Sequence, residues 1–372
     1  MAGVGTAHLR PADEVLLQVT DLHVEYSAGR GRRVRAVSGV SFDMTEGETL
    51  GLVGESGCGK STTARAVLQL PRPTSGRVVF DGVDLTTLRG EELRRVRAGL
   101  QMIFQDPIAS LNPRREVRDI VREGLDIWPD HRYRAPENGR DESGGGDPGP
   151  SSPATDRVRA VLGSVGMDLD EVGNRRPHEF SGGQCQRICI ARALALDPRV
   201  LICDEPVSAL DVSIQAQILN LLEDLKELYG LTMLFIAHDL AVVKSISDRV
   251  CVMYLGRICE IGPTDAIFDD PAHPYSDALL SSIPQLDPGG GTEDEVLPGD
   301  PPSPFDVPSG CRFRTRCPRA TELCAETVPE LRAVSPGRFV ACHFPLTASP
   351  PDAARHEGGA TSTPSAATSS HP

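Results

Sequence analysis

The sequence lacks the long apolar runs and the leader that membrane-spanning and exported chains show. No segment approaches eighteen consecutive apolar residues, and residues 1–15 lack the basic stretch followed by an apolar stretch that marks a signal peptide. An excess of basic residues is also missing. The net charge is −14, which argues against nucleic acid as the principal partner, because binding to a phosphate backbone depends on a basic surface. We therefore predict a cytoplasmic chain that does not itself cross a membrane.

Internal repeats are absent as well, and the chain divides by composition instead. Its 372 residues, 39% of them apolar, allow a sizeable core in one large domain or two. One stretch, at about 129–155, is rich in Pro, Gly and Ser, and a second, at 284–308, is rich in Pro. Each can bury too little apolar surface to offset its chain entropy. We predict a main domain at 15–283 with a disordered insertion at about 129–155, a linker at 284–308, a cysteine-rich region at 309–346, and disordered ends at 1–14 and 347–372.

Residues 54–61 read G-E-S-G-C-G-K-S, which is the G-x-x-x-x-G-K-[ST] spacing of a phosphate-binding loop between a strand and a helix. Backbone N–H groups and the positive end of the helix dipole then face the phosphates. We expect Lys60 to neutralise the terminal phosphates and the Ser61 hydroxyl to ligate magnesium. A glycine-rich turn without a ligand is the alternative. The loop residues predicted to bind the nucleotide are Gly54, Ser56, Gly57, Cys58, Gly59, Lys60, Ser61 and Thr62.

Two adjacent acids, Asp204 and Glu205, follow a continuous apolar run that is typical of a buried parallel strand. Asp204 is predicted to hold magnesium opposite Ser61. Glu205 is predicted to polarise a water for in-line attack on the γ-phosphate. The alternative is that both acids are solvated residues at the end of a strand.

Three further residues are candidates at the same site. Gln105 and His238 each follow a predicted strand, so they are expected at the edge of an α/β sheet where ligands bind. Gln105 would reach the magnesium or the attacking water, and His238 would contact the γ-phosphate. Tyr26 precedes a turn and has a ring that can stack on adenine. A solvated glutamine, a structural histidine and a packed tyrosine are the respective alternatives.

The order of these motifs resembles that of ABC-transporter ATP-binding subunits. It comprises the phosphate loop, Gln105, S-G-G-Q at 181–184, L-I-C-D-E at 201–205, S-A-L-D at 208–211 and His238. S-G-G-Q makes the resemblance specific. More narrowly, the chain is similar to ATPase subunits of bacterial oligopeptide and dipeptide importers over 15–344. The matching text is Q-D-P-I-A-S-L-N-P at 105–113, H-E-F-S-G-G-Q-C-Q-R at 178–187, E-P-V-S-A-L-D-V-S-I-Q-A-Q at 205–217 and H-P-Y at 273–275.

The resemblance implies an α/β fold of the ABC-type P-loop NTPases. Such a fold has a RecA-like core, an antiparallel β-subdomain and a helical subdomain, here at about 106–196, to which this chain adds a small cysteine-rich region. The implied enzyme hydrolyses MgATP at the cytoplasmic face of the membrane. It powers peptide import through two separate permease subunits, and an extracytoplasmic binding protein acts indirectly. An importer of nickel or another small solute, and a soluble non-transport ABC ATPase, remain alternatives.

The resemblance also implies a head-to-tail pair with a homologous ATPase subunit, expected to be a heterodimer. Each ATP would lie between one subunit's phosphate loop and the partner's S-G-G-Q. In such pairs Tyr26 stacks on adenine, Gln105 senses magnesium and His238 holds the γ-phosphate, while Glu205, His238 and Lys60 carry the catalysis. The residues that would serve the partner's ATP are Ser181, Gly182, Gly183, Gln184 and Asp211.

Four of the ten cysteines, Cys311, Cys317, Cys324 and Cys342, lie within 32 residues at C-x5-C-x6-C-x17-C spacing. Spacing alone favours zinc and an iron–sulfur cluster about equally, with unligated thiols as a further alternative. The resemblance implies that these four ligate a four-iron, four-sulfur cluster. Cys58 and Cys185 differ from the rest, because one lies in the phosphate loop and the other lies beside the S-G-G-Q turn. Helix N-termini lower the pKa of thiols, so we expect Cys58 to be reactive and protected by ATP.

Overall fold

A computed structural model of the chain describes residues 6–29, 32–128, 152–282 and 299–346. The strands are β1 (Leu17–Ser27), β2 (Arg33–Met44), β3 (Thr49–Val53), β4 (Ser75–Phe80), β5 (Val83–Asp84), β6 (Leu100–Ile103), β7 (Val200–Asp204), β8 (Thr232–Ile236), β9 (Arg249–Tyr254), β10 (Arg257–Pro263), β11 (Arg332–Ser335) and β12 (Arg338–Val340). The helices are α1 (Lys60–Val67), α2 (Gly90–Ala98), α3 (Pro107–Ser110), α4 (Val117–Ile127), α5 (Pro153–Ser164), α6 (Leu169–Val172), α7 (Gly182–Leu194), α8 (Val212–Tyr229), α9 (Leu240–Ile246), α10 (Thr264–Asp269), α11 (Pro274–Ser281) and α12 (Glu322–Glu326).

The strands form two sheets that share a core. A four-stranded antiparallel sheet has the order β2-β1-β4-β5, and an eight-stranded sheet has the order β11-β12-β10-β9-β3-β8-β7-β6. In the larger sheet, β9, β3, β8, β7 and β6 run parallel. Every residue of β3, β7 and β8 is buried. These strands are apolar throughout rather than alternating, because both faces of the parallel sheet are covered.

The helices α3 to α7 lie within 106–196, the range predicted to be a helical subdomain, and they pack on one another. Helix α4 buries Val117, Ile120, Val121 and Leu125, which lie along one face at helical spacing. Helix α5 begins at Pro153 with the Ser152 side chain as its N-cap, so the last residues of the predicted insertion are helical rather than disordered. The remaining part of that insertion, 129–151, lies outside the described residues.

The cysteine-rich region extends the ATPase sheet instead of standing apart from it. Strand β12 pairs antiparallel with β10, placing Val340 opposite Glu260, and β11 pairs with β12. An ion pair crosses this junction: Arg338 Nη2 lies 2.8 Å from Glu260 Oε1, and both side chains are buried. The predicted tail at 347–372 and residues 284–298 of the predicted linker lie outside the described residues.

The described part of the amino-terminal segment, residues 6–14, packs on the domain. His8 Nε2 donates to the Ser41 carbonyl oxygen at 2.7 Å, and Arg10 pairs at 2.6 Å with both Asp43 and Glu48. The prediction of disorder over 1–14 is therefore wrong for these residues, because one arginine satisfies two buried carboxylates there. None of the helices in the described residues has the length and apolar content needed to cross a bilayer.

Candidate active site

The carboxyl edge of the parallel strands gathers the predicted site residues. Strand β3 leads into the phosphate loop, β7 ends at Asp204, and Gln105 and His238 follow β6 and β8 by two residues. The register of β3, β8, β7 and β6 places these ends side by side. Four segments that are far apart in the sequence thus meet at one sheet edge, as expected for an α/β ligand site.

The phosphate loop is shaped by close backbone approaches at its glycines. Gly59 has a φ of 107°, and a Cβ atom there would lie 2.4 Å from the Ala36 carbonyl oxygen. Only glycine fits such a position. The Lys60 side chain is buried and donates from Nζ to the carbonyl oxygens of Gly54, at 2.6 Å, and Glu55, at 3.1 Å. The ammonium group is thereby held against the loop where phosphates are expected.

An oxygen-donor pair lies beside the loop. The Ser61 hydroxyl donates to Asp204 Oδ1 at 2.6 Å, and the Asp204 side chain is buried. Arg65 Nη2 is 3.4 Å from the other carboxylate oxygen. A hydroxyl and a carboxylate are ligands that magnesium accepts, so the donor chemistry of this pair fits that ion.

Glu205 is held by two polar neighbours at the sheet edge. Its Oε2 accepts from Gln105 Nε2 at 2.9 Å and lies 3.4 Å from His238 Nδ1. Its φ of 49° is in the left-handed region, which is unusual for a residue other than glycine and recurs at functional sites. The backbone N–H of Glu205 donates to the Ile236 carbonyl oxygen, which ties the turn to β8.

Tyr26, Ser56, Gly57 and Thr62 are the outer members of the predicted nucleotide set. Tyr26 lies on β1 opposite Val34, and its side chain is 41% exposed, so its ring is open to a stacking ligand. Ser56 and Gly57 are exposed at the tip of the loop, and Thr62 is half-buried on α1.

The residues predicted to serve a partner's nucleotide lie at two helix starts. The Ser181 side chain caps α7 and accepts from the Gln184 N–H, while the Gln184 side chain accepts from the Ser181 N–H. Both residues are exposed. Gly182 and Gly183 form the first turn, where a Cβ atom on Gly183 would come within 2.7 Å of the Ile214 side chain. The Asp211 side chain caps α8 by accepting from the Ile214 N–H.

Two residues beside the phosphate loop, Tyr275 and Arg316, were not predicted from the sequence. Tyr275 Oη accepts from the Glu55 backbone N–H at 2.9 Å, and Arg316 Nη1 donates to Glu55 Oε2 at 2.7 Å. Tyr275 belongs to the H-P-Y motif, which was a signal without an assigned role. Nothing in the local sequence distinguishes Arg316, which lies 261 residues beyond Glu55.

The expectation for Cys58 is wrong. Its side chain is 3% exposed, and burial raises the pKa of the thiol despite the nearby Lys60 ammonium. Desolvation disfavours the thiolate more than the helix start favours it. We therefore no longer expect Cys58 to be a reactive thiol in the folded protein.

The four clustered cysteines converge on one pocket, which Cys311, Cys317, Cys324 and Cys342 line together with His273 and Phe313. Burial raises the pKa of Cys311 to about 11, and the neighbouring thiols add to this effect. Nevertheless, no group of three or more His, Cys, Asp or Glu residues within the described chain is arranged to hold a metal ion. The four-iron, four-sulfur cluster therefore has no support from this geometry, although thiol donors suit it chemically.

Comparison with known proteins agrees with the architecture and the motifs. Two family models match the chain: "ABC transporter" at residues 37–208 and "Oligopeptide/dipeptide transporter, C-terminal region" at 259–324. A putative peptide import ATP-binding protein of Brucella abortus (strain 2308) is 51% identical over 327 residues, covering 88% of this chain and 97% of the relative. The oligopeptide transport ATP-binding protein OppF of Salmonella typhimurium is 50% identical, covering 86% of this chain and 93% of the relative.

Solved structures resemble the ATPase core. The dimeric post-hydrolysis state of the ATP-binding cassette MJ0796, bound to ADP and Pi, has a TM-score of 0.56 and 27% identity, covering 67% of this chain and 98% of that one. CbiO1 from Clostridium perfringens, part of the ABC transporter complex cbiONQ, also has a TM-score of 0.56, with 28% identity, covering 69% of this chain and 92% of that one. The ABC-type ATPase fold is thereby confirmed. The chain belongs to the ATP-binding proteins of the ABC transporter family, in the branch that carries the oligopeptide/dipeptide transporter C-terminal region.

Proposed function

We propose that this chain is the ATP-binding and ATP-hydrolysing subunit that powers import of oligopeptides or dipeptides through separate membrane permease subunits. The observation that carries the ATPase assignment is the placement of Glu205 between Gln105 and His238, at the sheet edge that also holds the Ser61–Asp204 pair. The transported class is supported by relatives named as peptide import and oligopeptide transport ATP-binding proteins. The chain would work at the cytoplasmic face, peripheral to the membrane.

Different residues of the chain bind the nucleotide and take part in phosphoryl transfer. Lys60 and the amides of the loop bind the β- and γ-phosphates, and Tyr26 stacks on the adenine. Glu205 accepts a proton from the attacking water, which makes the water oxygen a better nucleophile. That oxygen bonds to the γ-phosphorus from the side opposite ADP as the bond from the γ-phosphorus to the ADP oxygen breaks. His238 contacts the γ-phosphate and keeps the Glu205 carboxylate in place.

Magnesium fits the residues at the loop. Ser61 and Asp204 would hold the ion, together with Gln105. In this structure the Gln105 side-chain amide bonds to Glu205. When bound, the ion neutralises the charge that develops on the β- and γ-phosphate oxygens.

The site is complete only in a pair of cassettes. Ser181, Gly183 and Asp211 lie at exposed helix starts, where N–H donors can face a phosphate that another subunit binds. A related cassette solved as a dimer with ADP and Pi supports this arrangement. We propose a head-to-tail pair with a homologous subunit, so the isolated chain binds ATP and hydrolyses it poorly.

Import of nickel or another small solute is the alternative within transporters, since the permease and binding proteins select the solute. We expect the chain, assembled with its co-purified membrane subunits in vesicles, to drive uptake of a labelled oligopeptide when MgATP is supplied on its side. Vesicles that receive ADP are the control. Uptake of nickel in place of peptide would contradict the transported class, and the absence of ATP-dependent uptake of either would contradict the transporter assignment.

We also propose that Cys311, Cys317, Cys324 and Cys342 ligate an iron–sulfur cluster, with zinc as the alternative. The proposal depends on the thiol chemistry of four cysteines that line one pocket, since their arrangement in the described chain is not by itself a metal site. Anaerobically purified chain is expected to contain about four irons per molecule and to absorb broadly in the visible, because four thiolates saturate such a cluster. Replacing Cys324 with Ser should remove the iron, and replacing the buried Cys189 should not. Protein with zinc and no iron would contradict the cluster.

A further inference from the structure

The second residue of the phosphate loop, Glu55, forms hydrogen bonds with two residues from the carboxy-terminal part of the chain. Its carboxylate accepts from Arg316 Nη1 at 2.7 Å, and its backbone N–H donates to Tyr275 Oη at 2.9 Å. The Arg316 side chain is only 5% exposed and that of Glu55 is 23% exposed. A charge-assisted hydrogen bond in such a partly buried setting is stronger than an exposed ion pair. We call Arg316 and Tyr275 the Glu55 anchor.

Tyr275 is rigidly placed. Its ring is fully buried and packs against Tyr254 and Phe313, with ring centroids 4.7 and 5.3 Å away. Its backbone N–H donates to His273 Nδ1 at 2.9 Å. Burial lowers the pKa of His273 to about 4, so the imidazole is neutral near pH 7 and its ring nitrogen can accept this bond. The H-P-Y motif thus orients the hydroxyl that holds the loop.

Arg316 is placed by the cysteine-rich region. It directly precedes Cys317, and its guanidinium also reaches Tyr254 Oη at 3.5 Å. A guanidinium stays protonated at any physiological pH, so the charge that neutralises Glu55 is permanent.

We propose that Arg316 and Tyr275 are positioning residues for nucleotide binding, and that through them the carboxy-terminal region sets the affinity of the phosphate loop for ATP. This inference rests on the proposed ATPase function. Lys60 Nζ donates to the Glu55 carbonyl oxygen, so a displaced Glu55 also displaces a contact of the phosphate-binding ammonium. An unpaired Glu55 carboxylate beside the phosphates would in addition repel them.

The test uses the full chain in a Glu205→Gln background, where nucleotide binding is read without turnover. Equilibrium titration with MgATP should show that Arg316→Gln weakens binding about tenfold. Tyr275→Phe, which removes one hydrogen bond and keeps the ring, should weaken it about threefold. Arg314→Gln is the matched control, because that guanidinium bonds to Ser309 within its own segment and should leave the affinity unchanged.

A second variant separates charge neutralisation from general damage to the fold. Adding Glu55→Gln to Arg316→Gln should restore affinity to within about threefold of the parent, since no unpaired carboxylate remains. Wild-type affinity in both Arg316→Gln and Tyr275→Phe would overturn the proposal. So would a double variant that binds more weakly than Arg316→Gln alone.

Kinetics of the assembled complex separate the role of the Glu55 anchor from the ATPase activity itself. In the assembled complex with Glu205 intact, Arg316→Gln should raise KM for ATP about tenfold and change kcat less than about twofold. A loss of kcat at unchanged KM would overturn the anchor as a positioning device. An assembled wild-type complex that binds ATP and never hydrolyses it would overturn the proposed function, while the binding comparison would still test the anchor.

Discussion

Replacing Glu205 with glutamine is expected to leave MgATP bound and to lower its hydrolysis by at least about 100-fold. The glutamine amide can still bond with Gln105, so the turn and its contact at 2.9 Å can persist. The carboxylate proposed to accept the proton from the attacking water is lost, however, and the neighbouring Asp204 does not replace it, because Asp204 is buried and bonded to Ser61. The measurement is the release of phosphate by the assembled complex, beside an equilibrium titration with MgATP.

Glu223→Gln serves as the control for Glu205→Gln. It makes the same chemical change at an exposed position of α8 and should alter neither quantity. Hydrolysis by Glu205→Gln within about tenfold of wild type would remove Glu205 from its assigned role. Loss of ATP binding in the same variant would instead place the residue in ground-state binding.

Gly59→Ala is expected to abolish ATP binding at concentrations that saturate the wild type. The added Cβ would lie 2.4 Å from the Ala36 carbonyl oxygen, and the φ of 107° is already unfavourable for alanine. The Cβ is fixed to the Gly59 backbone and the atom that it meets is a backbone oxygen, so the clash is relieved only by moving the loop. The loop's N–H groups would then no longer converge on the phosphates. Titration with MgATP measures the loss, and circular dichroism checks that the domain stays folded.

Gly47→Ala is the matched control for this clash. Gly47 has a φ of 77°, so alanine is strained there too, yet a Cβ atom would meet nothing within 4 Å. Gly47 lies in the turn between β2 and β3, outside the phosphate loop. We expect this variant to bind ATP like the wild type. Gly59→Ala that binds ATP with wild-type affinity would show that the loop adapts to the extra atom.

The phosphate loop, the Asp204–Glu205 pair and the parallel sheet were predictable, because each has a local pattern with a direct physical cause. A fixed glycine spacing predicts the loop, and a continuous apolar run ending in acids predicts a buried strand with its site at the carboxyl end. The reactivity of Cys58 could not be predicted from its local sequence. The helix start was visible in the sequence, but the burial that raises the pKa of this thiol depends on the assembled fold.

Long-range contacts were beyond the sequence reasoning for a different reason. Arg316 meets Glu55 across 261 residues, and a lone arginine among other basic residues carries no periodicity that would indicate its partner. Strand β12 has only three residues, too few for an alternating pattern. Its pairing with β10 depends on a sheet edge that exists only after the core has formed.

The pairing of β12 with β10 limits where the chain can be cut to make chimeric proteins. A boundary drawn before the cysteine-rich region would bare the edge of β10 and leave Glu260 charged and buried without Arg338. Removing one partner of such a pair costs about 3–5 kcal/mol, and an open edge strand invites association. The carboxy-terminal region is therefore structurally continuous with the ATPase core rather than a separable module. Chimeric subunits should exchange β10 and β12 together.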